Sequence, residues 1–178
     1  ISRMSIANRI MIDSLEELLA HMLVLKCEAE DRLQELADCL EGHNNLEAAD
    51  IFRQLQKLAA ESVCEIERLA EGIELPSIPI WDYQWYCTDS PECACIDNAH
   101  YLMNSRQALE LARLNSRRTR TFLLQAMNDV RIEEVQEIAR QLFSHEETFI
   151  YKIEQWLAEI GDEDMPLCND LDPPNTPE

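Results

Sequence analysis

Apolar residues recur at Leu19, Met22, Ala29, Leu33, Leu36 and Leu40, three or four positions apart, with polar residues between. That period marks one helix face turned inward. The stripe runs through position 26, which is a lysine. Three more stripes follow the same spacing: Leu55, Ala59, Ser62, Ile66 and Leu69; Leu109, Ala112, Ser116, Thr119 and Leu123; Leu142, Glu146, Phe149, Ile153 and Trp156. The pattern predicts four long helices, over about Ser14–Glu41, Leu46–Glu71, Ser105–Asn128 and Arg131–Ile160.

Local signals set the expected ends. Ser14 followed by Glu17 reads as a capping box, and Gly42 sits where a helix-terminating glycine belongs. Asn44 or Asn45 is the expected cap of the second helix, and Gly72 closes it. Asp129 is the expected cap of the fourth, and Gly161 its stop. The chain has three glycines, so all three fall at helix ends. The first two helices, and the last two, are about four residues apart, which makes each pair an antiparallel hairpin. Residues 73–104 between the hairpins are rich in Pro, Trp, Tyr and Cys and form a long crossover. The predicted fold is therefore all-α: two antiparallel hairpins joined by a long crossover, the arrangement of a ferritin-like four-helix bundle. Residues 1–161 make up that domain, and residues 162–178 an acidic, Pro-rich tail expected to be mobile.

Composition sharpens this picture. The 178 residues suffice for a real core, and scarce glycine favours helix. A net charge of -20 repels phosphate backbones, so nucleic acid is not an expected partner. No stretch reaches about 18 apolar residues, so no membrane span is expected. The seven cysteines are an odd number without the spacing of a secreted framework, which points to a reducing, cytoplasmic setting.

The phrases SLEELLAH, ELADCLEGHNN and FRQL in the first hairpin resemble rubrerythrin-like members of the ferritin-like superfamily. So do LAEGIELP, W-x-Y-x-W, PE and HYLM in the crossover, and ALELARLNSRR and EQWL in the second hairpin. The resemblance spans about Ser14 to Leu157 and lacks the paired C-x-x-C knuckles of a rubredoxin module. It implies a di-metal site at the bundle centre, with one Glu from each of two helices and Glu-x-x-His from each of the others. An i, i+3 pair puts both ligands of a helix on one face, which suits hard cations needing oxygen and imidazole donors.

Carried over residue by residue, the pattern meets an altered donor set. The first-helix Glu falls on Lys26. The second-helix pair falls on Ala59 and Ser62. The third-helix Glu of the family phrase N-E-R-R falls on Ser116, in N-S-R-R. The fourth-helix pair falls on Glu146 and Phe149, and a tyrosine often found after the first Glu is here Leu33. These positions lie on the inward stripes, so a slipped alignment is not the cause. Glu61 with Cys64, and Glu28 and Glu30, lie off the stripes. A carboxylate at 146 among apolar neighbours needs a counter-charge. The expectation is a buried Lys26–Glu146 ion pair, with the Ser62 and Ser116 hydroxyls as further partners. The alternative is a Lys26 that reaches solvent beside a protonated or wet Glu146.

Other candidate chemistry is less ordered. Cys87, Cys93, Cys95 and His100 in the crossover have zinc-ligand character, but C-x5-C-x-C is not a knuckle spacing. Structural cysteines or a disulfide within the loop are the simpler expectation. His145 beside Glu146 is a route to a remodelled mononuclear site, whereas His21 is expected to be structural. Cys27, Cys39 and Cys64 are expected to be small, partly buried helix residues. A Schiff-base role for Lys26 has no supporting pocket signal. Trp81, Tyr83, Trp85 and Tyr86 are expected partly on the bundle and partly at an interface.

The expectation that follows is a non-catalytic protein without cofactor: a structural or regulatory subunit, homodimeric or paired with a paralogue or another protein. The alternative is an iron-binding oxidoreductase, a rubrerythrin-like oxidase, peroxidase or iron handler with a remodelled site.

Overall fold

The computed structural model describes residues 12–79 and 103–161. Four helices occur among the described residues: α1 (Leu15–Gly42), α2 (Leu46–Leu69), α3 (Ser105–Asp129) and α4 (Glu133–Ile160). They form the predicted four-helix bundle of two hairpins, α1 with α2 and α3 with α4, and no strand occurs among the described residues. The aromatic cluster, Cys87, Cys93, Cys95 and His100, and the 162–178 tail lie outside the described residues.

The ends differ from expectation in instructive ways. Ser14 caps α1, its hydroxyl accepting from the Glu17 N–H at 3.2 Å. The Glu17 carboxylate, however, accepts from the Asp13 N–H at 2.7 Å, one residue before the box position. At the other end Gly42 is still helical. The left-handed residue is Asn44, with φ 60. The Asn45 N–H reaches the Leu40 carbonyl at 2.8 Å and the Asn44 N–H that of Glu41 at 3.0 Å. That pair of bonds is a Schellman turn with asparagine in the glycine place. Asn45 then caps α2 and donates its side-chain amide to the Met103 carbonyl at 2.6 Å, tying the first hairpin to the start of the second. Asn44→Ala is expected to cost about 1–2 kcal/mol, because a Cβ opposes the left-handed region unless a short polar side chain compensates. Asn44→Gly is expected to cost little, and thermal melts compare the two.

Asp129 does not cap α4. It is the last residue of α3, and α4 starts after Ile132 with no side-chain cap. Gln136 serves the join instead, donating to the carbonyls of Val130 at 2.8 Å and Met127 at 3.2 Å. A full capping box of Asn104 and Gln107 starts α3.

The apolar core is in two parts. One packs Leu18, Leu19, Met22, Leu25, Ile66, Phe122 and Leu123. The other packs Leu40, Phe52, Leu55, Leu109, Ala112, Ile153 and Leu157. Between them Lys26 on α1, Ser116 and Thr119 on α3, and Glu146 on α4 bring polar side chains inward.

Candidate functional site

Position 26 on α1 follows Met22 and Leu25 and precedes Ala29, all buried, so the helix period alone turns its side chain inward. Glu146 on α4 lies between Leu142 and Ile150 on an equally buried stripe. The two meet. Lys26 Nζ stands 2.8 Å from Glu146 Oε2, with side chains only 5% and 4% exposed. The ion pair expected from the sequence is present, and the alternative in which Lys26 reaches solvent is not. The ammonium also lies 5.6 Å from the centroid of Phe149, within the range of a cation–π contact. The i, i+3 pair Glu146 and Phe149 thus presents a carboxylate and a ring face to one cation.

The other positions of the set fall at the same level. Ser116 is fully buried and Ala59 nearly so. The expected hydroxyl partners are not used by the pair. Ser62 is half-buried and donates to the Leu58 carbonyl of its own helix at 3.1 Å. The Ser116 hydroxyl finds no hydrogen-bond partner among the described residues. Asn115 and Thr119 are also buried here. Thr119 continues the inward stripe. Asn115 lies one place before the seam, and its one signal in the sequence is its position in the N-S-R-R phrase.

A small cavity of about 20 Å³ adjoins the ammonium, lined among others by Lys26, Ala59, Asn115, Leu33 and Phe149. That is room for about one water. On the outer side of Phe149, between α2 and α4, a groove of about 410 Å³ is bordered by Glu61, Ser62, Glu65, His145 and Lys152. His145 belongs to that surface. It is 3.9 Å from Glu65 and largely exposed, so it does not join Glu146 in one site. Arg68 holds the Glu65 carboxyl below its ordinary range by a side-chain hydrogen bond. His21 is buried and structural, its Nδ1 2.7 Å from the Glu17 carbonyl and its ring beside Phe122.

Cys27, Cys39 and Cys64 are exposed, not partly buried as expected, and none forms a disulfide. Local burial raises the Cys27 thiol pKa, and Glu30, Asp31, Glu67 and Glu28 raise it further. An electronegative setting of that kind keeps a thiol protonated and slow to react. Glu61 and Cys64 face solvent, off the central seam.

The six positions of the set therefore offer one carboxylate, one ammonium, a phenyl ring, two hydroxyls and a methyl group, with the Asn115 amide and the Thr119 hydroxyl beside them. No group of three or more His, Cys, Asp or Glu side chains suited to a metal occurs among the described residues. Nor is any described helix long and apolar enough to cross a membrane.

No family model matches the chain, and no curated protein does. Among solved structures, the chain is similar to the uncharacterized conserved protein COG1633 from Magnetospirillum magnetotacticum MS-1. The two are 30% identical, with a TM-score of 0.63, over 83% of this chain and 95% of that one. Identity at that level across almost the whole of the related chain, with the bundle geometry in common, means that this protein belongs to the COG1633 family.

Proposed function

We propose that this protein is a rubrerythrin-type, ferritin-like bundle whose di-metal centre has given way to an ammonium–carboxylate pair. In this reading it works as a non-catalytic structural or regulatory binding subunit, self-paired or paired with a paralogue or another protein. The odd number of cysteines suits a reducing compartment such as the cytosol.

One observation carries the reading: Lys26 Nζ lies 2.8 Å from Glu146 Oε2 inside the bundle. A di-metal centre needs several carboxylates and imidazoles converging on two cations. The residues at the corresponding positions do not fit that group, since five of the six offer no carboxylate or imidazole and one is itself a cation. A bound ammonium and a divalent cation would compete for Glu146 and repel each other at contact distance. The pair supplies the neutralisation a metal would supply, without redox or Lewis-acid chemistry.

The functional test is peroxide turnover by protein incubated with ferrous iron and then freed of excess metal. The expected rate equals that of a buffer blank. Turnover that tracks protein concentration would favour the oxidoreductase reading instead.

A further inference from the structure

The charge of the chain is unevenly spread. Residues 15–69 hold thirteen Asp and Glu against five Lys and Arg. Residues 105–160 hold nine against eight, and one of the nine is the buried Glu146. A second copy of a chain carrying -20 meets the least repulsion over α3 and α4.

The outer face of that hairpin also bears apolar anchors. Leu114, Arg117, Thr121 and Leu124 recur at helical spacing on α3, and Glu147, Tyr151 and Glu154 on α4. Leu114 and Leu124 are 42% and 46% exposed, and Tyr151 is 61% exposed. Two ion pairs bridge the rows, Arg117 to Glu154 at 3.2 Å and Arg120 to Glu147 at 2.8 Å. The face thus carries an arginine row beside a glutamate row, with a tyrosine between the two bridges.

We propose that the outer α3/α4 face is a homodimer interface, with Tyr151, Leu114 and Leu124 as its anchors. A two-fold axis running along the hairpin lays the arginine row of one copy over the glutamate row of the other. Each Arg–Glu bridge then joins its symmetry mate in a four-charge network, and Tyr151 descends between the leucines of the facing α3. Tyrosine and arginine are the residue types that most often anchor interfaces. The proposal rests on the binding-subunit reading above and names its partner as a second copy of this chain.

Sedimentation of the full chain across a concentration series tests it. The expected result is a reversible dimer whose dissociation constant rises about tenfold or more in Leu124→Ser/Tyr151→Ser. Leu46→Ser, at the tip of the other hairpin where Leu46 is 62% exposed, is expected to leave it unchanged. A monomer at every concentration, or a dimer indifferent to the double substitution, overturns the proposal. Hydrogen exchange of the wild type at high and low concentration gives an answer even if the variant misfolds. Concentration-dependent protection is expected around residues 114–124 and 147–154, and protection confined elsewhere overturns the proposal. Metal content measured on the same samples separates the two claims. A metal-loaded dimer broken by the substitutions refutes the metal-free reading alone, and a metal-free monomer refutes the interface alone.

Discussion

Lys26→Met is expected to destabilise the bundle by about 3–5 kcal/mol, read from the midpoint of urea unfolding at constant slope. The size follows from what is left behind. With the ammonium gone, the Glu146 carboxylate stays in a site where both side chains were almost free of water. It must then be protonated or hydrated at the cost of packing. Glu146→Leu alone leaves the opposite charge stranded and is expected to cost a similar amount. The double variant Lys26→Met/Glu146→Leu is expected to recover most of the loss, because matched apolar residues often replace a buried pair with no net penalty. The signature is the strong coupling between the two substitutions in a double-mutant cycle. A Lys26→Met cost below about 1 kcal/mol would place Lys26 among surface ion pairs, whose worth is of that order, and would contradict the buried geometry.

The second large effect is a gain of metal. Installing the ligand set that the rubrerythrin resemblance implies, with Lys26→Glu, Ala59→Glu, Ser62→His, Ser116→Glu and Phe149→His beside Glu146, is expected to create a site for about two divalent ions. Apo protein of this design concentrates carboxylates in a region now closed to water, so it is expected to melt far below the wild type. Ligand binding to the native state alone raises stability, so iron, manganese or zinc should restore much of the melting temperature. Ser62 is the weakest link, since it is only half-buried and bonded to the Leu58 carbonyl of its own helix. A design that binds no metal although folded would show that this bundle does not bring the six positions to di-metal geometry.

The parts of this architecture that were legible in the sequence are those set by periodicity. Lys26, Ser116 and Glu146 occupy inward places in 3.6-residue stripes, and a helix in a bundle has little freedom to turn them elsewhere. Their pairing was legible because a buried carboxylate needs an opposite charge and few others were on offer. What stayed hidden depends on competition between near neighbours. Gly42 and Asn44 both suit a left-handed residue, and hydrophobic pattern does not decide between them. Asp129 has cap character, but α3 runs one residue further and absorbs it, leaving Gln136 to bind the free carbonyls. The Ser62 hydroxyl takes its own i−4 carbonyl, an option open to a helical serine, and does not turn to the ion pair. Cysteine is a commonly buried type, which is the ground for expecting Cys27, Cys39 and Cys64 to be partly buried. Their phase on α1 and α2, which puts them on the solvent side, was the better guide.

The sequence resemblance and the geometry converge on one statement: the centre of this bundle holds its own cation. Elemental analysis of the wild-type chain, incubated anaerobically with ferrous iron and then desalted, measures this most directly. The account predicts far less than one metal ion per chain, with Lys26 still holding Glu146. About two irons per chain, the complement of an intact di-metal bundle, would contradict it.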